Sequence, residues 1–254
     1  MISKEDIIVD MHTHTVASLH AYSTIEENMT YAQKANLKYI AVTDHYFHNG
    51  DDVAKKHEIL RIKYMENNIN SYADVKIIGS AEFNILQDCE YRRKLEKLKW
   101  RPIGLHQSFV PGIHEMTYDD LYKGFEEASE WNNAFNHIER ELDELCYGKF
   151  KDGLTAEAKD FLEKVVILAK NKNILLEINE RSLGSHSKGY PDILRYWLNV
   201  AVQNGNRFYL GTDAHFCREV GHFEKCLEVL KEFRIEKDRV LNCNEDELVS
   251  YLLK

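Results

Sequence analysis

The stretch Asp10-Met11-His12-Thr13-His14 sets two imidazoles two residues apart, with His20 just downstream. Residues two apart on a strand point to the same face, so His12 and His14 could grip one ion side by side. In a chain of 254 residues with 12 histidines, about half of one such pair would arise by chance. The pair alone therefore says little. What gives it weight is recurrence. Short apolar runs lead into Thr43-Asp44-His45, Ala81-Glu82-Phe83-Asn84, Gly104-Leu105-His106, Phe135-Asn136-His137 and Gly211-Thr212-Asp213-Ala214-His215. Imidazole and carboxylate are the ligands that zinc, manganese and iron accept. His12, His14, His20, His45, His106, His137 and His215, with Glu82 and Asp213, are too many ligands for one ion. Three ions sharing bridging carboxylates would use them all.

Such residues must be brought together by the elements that carry them. Strand candidates are Ile7–Met11, Tyr39–Thr43, Val75–Ser80, Ile103–Leu105, Asn133–Asn136, Ile174–Ile178 and Phe208–Gly211. Amphipathic helices are expected between them, near Thr24–Ala35, Asp51–Ser71, Tyr118–Ser129, Ala156–Lys170, Ile193–Val202 and Phe223–Phe233, with a last one at Glu245–Leu253. This alternation predicts a parallel sheet with crossover helices, and seven strands in this length suit a β/α barrel. Functional groups in such folds gather at the carboxyl ends of the strands, where the His, Asp and Glu positions fall. No Pro/Gly/Ser-rich linker or repeat divides the chain, so residues 1–254 are expected to form a single domain.

Composition narrows the function. A net charge of −9 argues against a general nucleic-acid binder, because phosphate backbones need a positive surface. It leaves a small phosphorylated substrate open, since bound metal ions would reverse the local field. Five cysteines without a CxxC pair suggest reduced thiols, and the polar N-terminus is unlike a signal peptide. No apolar run approaches a bilayer span, so a cytoplasmic protein is expected.

The set His12-x-His14, His20, His45, Glu82, His106, His137 and Asp213-x-His215 resembles the PHP (polymerase and histidinol phosphatase) superfamily. Asp10–His20 followed by Ala21-Tyr22-Ser23-Thr24 resembles especially its bacterial phosphatases with a trinuclear metal site. The resemblance implies a distorted, TIM-like (β/α)7 barrel. It implies one ion on His12, His14, Glu82 and Asp213, a second on Glu82, His106 and His137, and a third on His20, His45 and His215. Two departures are Ile138-Glu139, where many relatives have Pro-Gly, and Ala214 between Asp213 and His215. The expected reaction is hydrolysis of small phosphate monoesters by a metal-bridging hydroxide, with Asp213 or His215 handling protons. Histidinol-phosphate phosphatase, PHP-type exonuclease or phosphodiesterase, amidohydrolase and non-catalytic metal binder are the alternatives.

Other residues receive plainer expectations. Arg181 and Lys188 follow the sixth strand and could contact phosphate, with Arg140 a weaker third. His48, His57, His114, His186 and His222 read as surface or capping residues. Asp10 and Asp44 could each orient an imidazole or make ordinary strand-end bonds.

Overall fold

The computed structural model describes the chain except residues 48–53, 71–73, 86–94, 96, 107–115, 141, 143–153, 185–189 and 254. Strands β1 (Val9–Thr13), β2 (Tyr39–Val42) and β3 (Lys76–Gly79) form one parallel sheet. Strands β4 (Phe83–Asn84), β5 (Pro102–Gly104), β6 (Ala134–Phe135), β7 (Leu175–Asn179) and β8 (Phe208–Gly211) form a second, also parallel.

The two sheets are joined twice. After β3 the chain keeps its bonds to the β2 side through Glu82, whose N–H donates to the Asp44 carbonyl at 3.1 Å. The next two residues then pair with β5. The third strand expected from the sequence is thus one extended run that changes partner at Glu82. On the other side, β1 lies against β8: the Asp213 N–H donates to the His12 carbonyl at 2.8 Å and the His14 N–H to the Ala214 carbonyl at 2.9 Å. The result is the expected distorted barrel.

Helices α1 (Ile25–Lys34), α2 (Lys56–Ile69), α3 (Tyr118–Ser129), α4 (Ala156–Asn171), α5 (Tyr190–Gln203), α6 (Glu224–Glu232) and α7 (Glu245–Leu253) follow the expected spans. Their starts are written locally. Thr24 accepts from the Glu27 N–H while the Glu27 carboxylate accepts from the Thr24 N–H; Thr117 and Asp120 repeat this reciprocal cap on α3. In α4, Phe161, Leu162, Val165, Val166 and Ala169 recur at three- and four-residue steps and are buried against the barrel.

Inside the barrel, Val9, Met11, Tyr39, Ala41, Ile78, Trp100, Ala134, Leu175 and Tyr209 form a second core. Leu248 of α7 packs into this cluster as well. The interior is filled, and the site lies above this packing at the carboxyl ends of the strands. Among the described residues no helix is long and apolar enough to cross a membrane.

Candidate metal centre

The register of β1 decides where the first histidines point. Val9 pairs with Tyr39 and Asp10 with Ile40, but Thr13 pairs with Val42, so β1 carries one extra residue. Simple alternation would send His12 outward with Asp10. The bulge instead turns His12 into the barrel beside His14, with 3.0 Å between their Nε2 atoms.

Around this pair the structure collects the other predicted residues. Glu82 is fully buried. Its Oε1 lies 3.0 Å from His137 Nε2 and 3.1 Å from His106 Nε2, and its Oε2 lies 3.1 Å from His45 Nε2 and 3.3 Å from His12 Nε2. Asp213 Oδ1 lies 3.2 Å from His14 Nε2. His215 Nε2 lies 2.7 Å from His20 Nε2. Among the described residues, four triads have ligand atoms mutually within 4.8 Å: His12–His14–Glu82, Glu82–His106–His137, His12–His137–Asp213 and His14–His45–His215. All nine predicted positions therefore converge. Seven of the nine, His20 among them, line a cavity of about 200 Å3 together with Arg140 and Arg181.

The outer partners fix several tautomers. Glu177 accepts the His12 Nδ1 proton at 2.7 Å, and the Asp213 carbonyl accepts the His215 Nδ1 proton at 2.9 Å. Ser18 donates to Asp44 at 2.6 Å and lies 3.4 Å from His14 Nδ1, so its oxygen can accept from that ring. The Nε2 lone pairs of His12 and His14 then face each other. Neutral imidazoles repel in that arrangement unless a cation or proton stands between them. The electrostatics agree. Burial opposes charge on His12, but Glu177, Glu82 and Asp213 outweigh it and hold its pKa well above the usual value. Burial works against ionised Glu82 and Asp213 too, yet the histidines keep both carboxyls well below the carboxylate range. Burial pushes His106 and His215 down to about 4, so both are neutral and able to ligate. The donor set fits divalent transition-metal ions.

Space is reserved for this packing. A Cβ at Gly211 would come within 2.3 Å of Glu177 Oε1 and 2.4 Å of the His12 Cβ. A Cβ at Gly104 would meet His137 and His106 at 3.1 and 3.2 Å. His137 and Asp213 also hold positive φ values of 25° and 55°, a strained backbone for residues other than glycine.

Some residues lie elsewhere than expected. Asp10 accepts from the Thr212 hydroxyl and the Thr212, His12 and Gly221 N–H groups, and Asp44 from Thr15 and Ser18. Among the described residues neither carboxylate bonds an imidazole. Glu177, which is not in the set expected from the sequence, does, and its second oxygen accepts the strained His137 N–H at 3.0 Å. An acid inside the buried run Leu175-Leu176-Glu177-Ile178 was the available signal. Asn136 also donates to Glu82 at 2.7 Å and accepts from the Tyr209 hydroxyl. Arg140 donates to Asp213 Oδ2 at 3.1 Å. Arg181 reaches the Asp213 carbonyl at 3.4 Å and is 45% exposed. Lys188, His48, His114 and His186 lie outside the described residues; His222 is exposed and 3.6 Å from Glu224.

Fold and site together define a β/α barrel with a buried histidine–carboxylate centre suited to metal ions. The chain belongs to the PHP domain family, which it matches over residues 10–181. It is 27% identical to a probable phosphatase of Vibrio parahaemolyticus, over 98% of this chain and 94% of that one. It is 28% identical to a probable phosphatase of Clostridium acetobutylicum, over 96% and 94%. Its fold is similar to that of histidinol phosphate phosphatase from Lactococcus lactis, solved with zinc, L-histidinol and phosphate: TM-score 0.64, 17% identity, 90% of this chain and 94% of that one.

Proposed function

We propose that this chain is a metal-dependent phosphoesterase acting on small phosphate monoesters, with residues 1–254 working as one domain. His12, His14, His20, His45, Glu82, His106, His137, Asp213 and His215 are the proposed ligands, shared among three ions of zinc, manganese or iron. The observation that carries this reading is the set of imidazole nitrogens turned toward one another around the buried Glu82 and Asp213. That arrangement is stable with positive charge at its centre and poor without it. The names of the bacterial relatives support the choice of phosphate esters.

When bound, the ions would neutralise phosphoryl oxygens and lower the pKa of water. The chain's own groups do the rest. Glu177 and Asn136 hold the ligands in place. Arg140 and Arg181 line the cavity and are placed to receive phosphoryl oxygens. Of the two proton-handling candidates, Asp213 is the better placed. Both ring nitrogens of His215 are engaged, Nδ1 by the Asp213 carbonyl and Nε2 opposite His20.

The test is hydrolysis of p-nitrophenyl phosphate, bis-p-nitrophenyl phosphate and a single-stranded oligonucleotide, before and after chelation, alongside metal analysis. Monoester hydrolysis that chelation abolishes and metal restores is expected. Full activity in the chelated protein sinks the proposal, and a dominant oligonucleotide rate moves it to a nuclease. Arg181→Ala should raise KM for the monoester with kcat little changed; unchanged kinetics remove Arg181 from the phosphate site.

A further inference from the structure

Beside the metal centre lies a second cavity of about 450 Å3, lined by Glu180, Arg181, Thr212, Arg218, Glu219, His222 and Lys225. Arg181 belongs to both. Two acids and three permanent cations line it, and the acids are already engaged by the fold. Glu180 accepts the Lys225 and Cys226 N–H groups at 3.1 and 2.9 Å. Glu219 accepts the His215 and Phe216 N–H groups at 3.0 and 3.3 Å and lies 3.5 Å from Arg181.

The cations are placed differently. Arg218 and Lys225 are exposed. Among the described residues neither has a carboxylate within ion-pairing distance; Arg218 lies only over the Phe216 ring, 5.9 Å from its centroid. The Lys225 ammonium would lie 2.8 Å from a Cβ built at Gly184, so it sits over the turn after β7, and Lys225 also lines the cavity. Exposed lysines and arginines usually form a solvated face. Here they stand in a concave wall that shares a residue with the candidate phosphate site, on a chain of net charge −9.

We propose that this second cavity binds an anionic group on the alcohol portion of the substrate, so that the preferred phosphate monoester carries a carboxylate or a second phosphate. The proposal rests on the phosphoesterase reading. Arg218 and Lys225 hold the remote anion, while the ester phosphate lies toward Arg181 and the histidines.

The experiment compares carboxyalkyl phosphates, and phosphonoalkyl phosphates, of increasing chain length with their uncharged carboxamide counterparts on the metal-loaded protein. Non-hydrolysable phosphonate versions are titrated in parallel by calorimetry. At the best length, kcat/KM for a charged ester should exceed that of its amide by roughly tenfold, the scale of one charge-assisted contact. The larger of the two preferences identifies carboxylate or phosphate as the recognised group. The double variant Arg218→Gln/Lys225→Gln should lose the preference while hydrolysing the amide at the original rate. Equal rates on charged and neutral esters overturn the subsite, and so does a preference that survives the double variant. If no ester is hydrolysed but the charged phosphonates still bind more tightly, the phosphoesterase reading fails and the anion site stands.

Discussion

Glu177 stands between two residues that must not move. One oxygen fixes the His12 ring, and the other holds the backbone of His137 in its strained conformation. Glu177→Gln keeps the volume but sets an amide N–H2 against one of two donors. Metal affinity should fall by about 10–100-fold, measured by competition with a chromogenic chelator; unchanged affinity would show that the carboxylate is dispensable. The histidines also make a pH prediction for chelated protein. His106 and His215 fall to about 4 when folded, against 6.5 in an unfolded chain. Between those values the unfolded chain binds more protons, so stability is lost as pH falls from 6.5 toward 4. His12 and His137 are raised, and their contribution is lost instead as pH rises above 6.5. Urea midpoints of chelated protein should therefore be lower at pH 5 than near neutrality. A midpoint that rises on acidification would contradict the neutral state of His106 and His215.

Strands and helices differ in how much of them could be read from sequence. Helix α3 begins at a threonine and an aspartate three residues apart, and this local chemistry set its start. Removing it by Thr117→Ala should cost about 1 kcal/mol in denaturant unfolding and leave metal binding untouched. Eight of the nine candidate ligands were legible because each sits at or just past a strand end, where composition changes abruptly; His20, in the loop after β1, was legible from its place downstream of the His12–His14 pair. The β1 bulge was not. Nothing in Asp10-Met11-His12 marks an extra residue, since the bulge depends on how β1 meets β2 and β8. Gly211 was likewise silent, because its lack of a side chain matters only once Glu177 and His12 close over it. Gly211→Ala should destabilise the protein by about 1–3 kcal/mol through overpacking and weaken metal binding as well. A variant with wild-type stability and affinity would show that β8 can move away freely.

At the scale of the molecule, bound ions and the fold should support each other. Chelation is expected to lower the Tm by roughly 10 °C, as loss of a tightly bound ligand does for a chain of this size; an identical melting curve would mean that the ligands are held by protein packing alone. The pattern of strands and helices announced the barrel, but the way its two sheets meet could not be foreseen, because the partner change falls inside one extended run, Lys76–Asn84. Both junctions carry candidate ligands: Glu82 and His45 bridge one, and His12, His14 and Asp213 flank the other. Emptying the centre should thus permit subglobal opening, in which a three-strand and a five-strand lobe part before either unravels. Amide exchange would report it first at residues 80–85 and 212–215, ahead of the strand interiors.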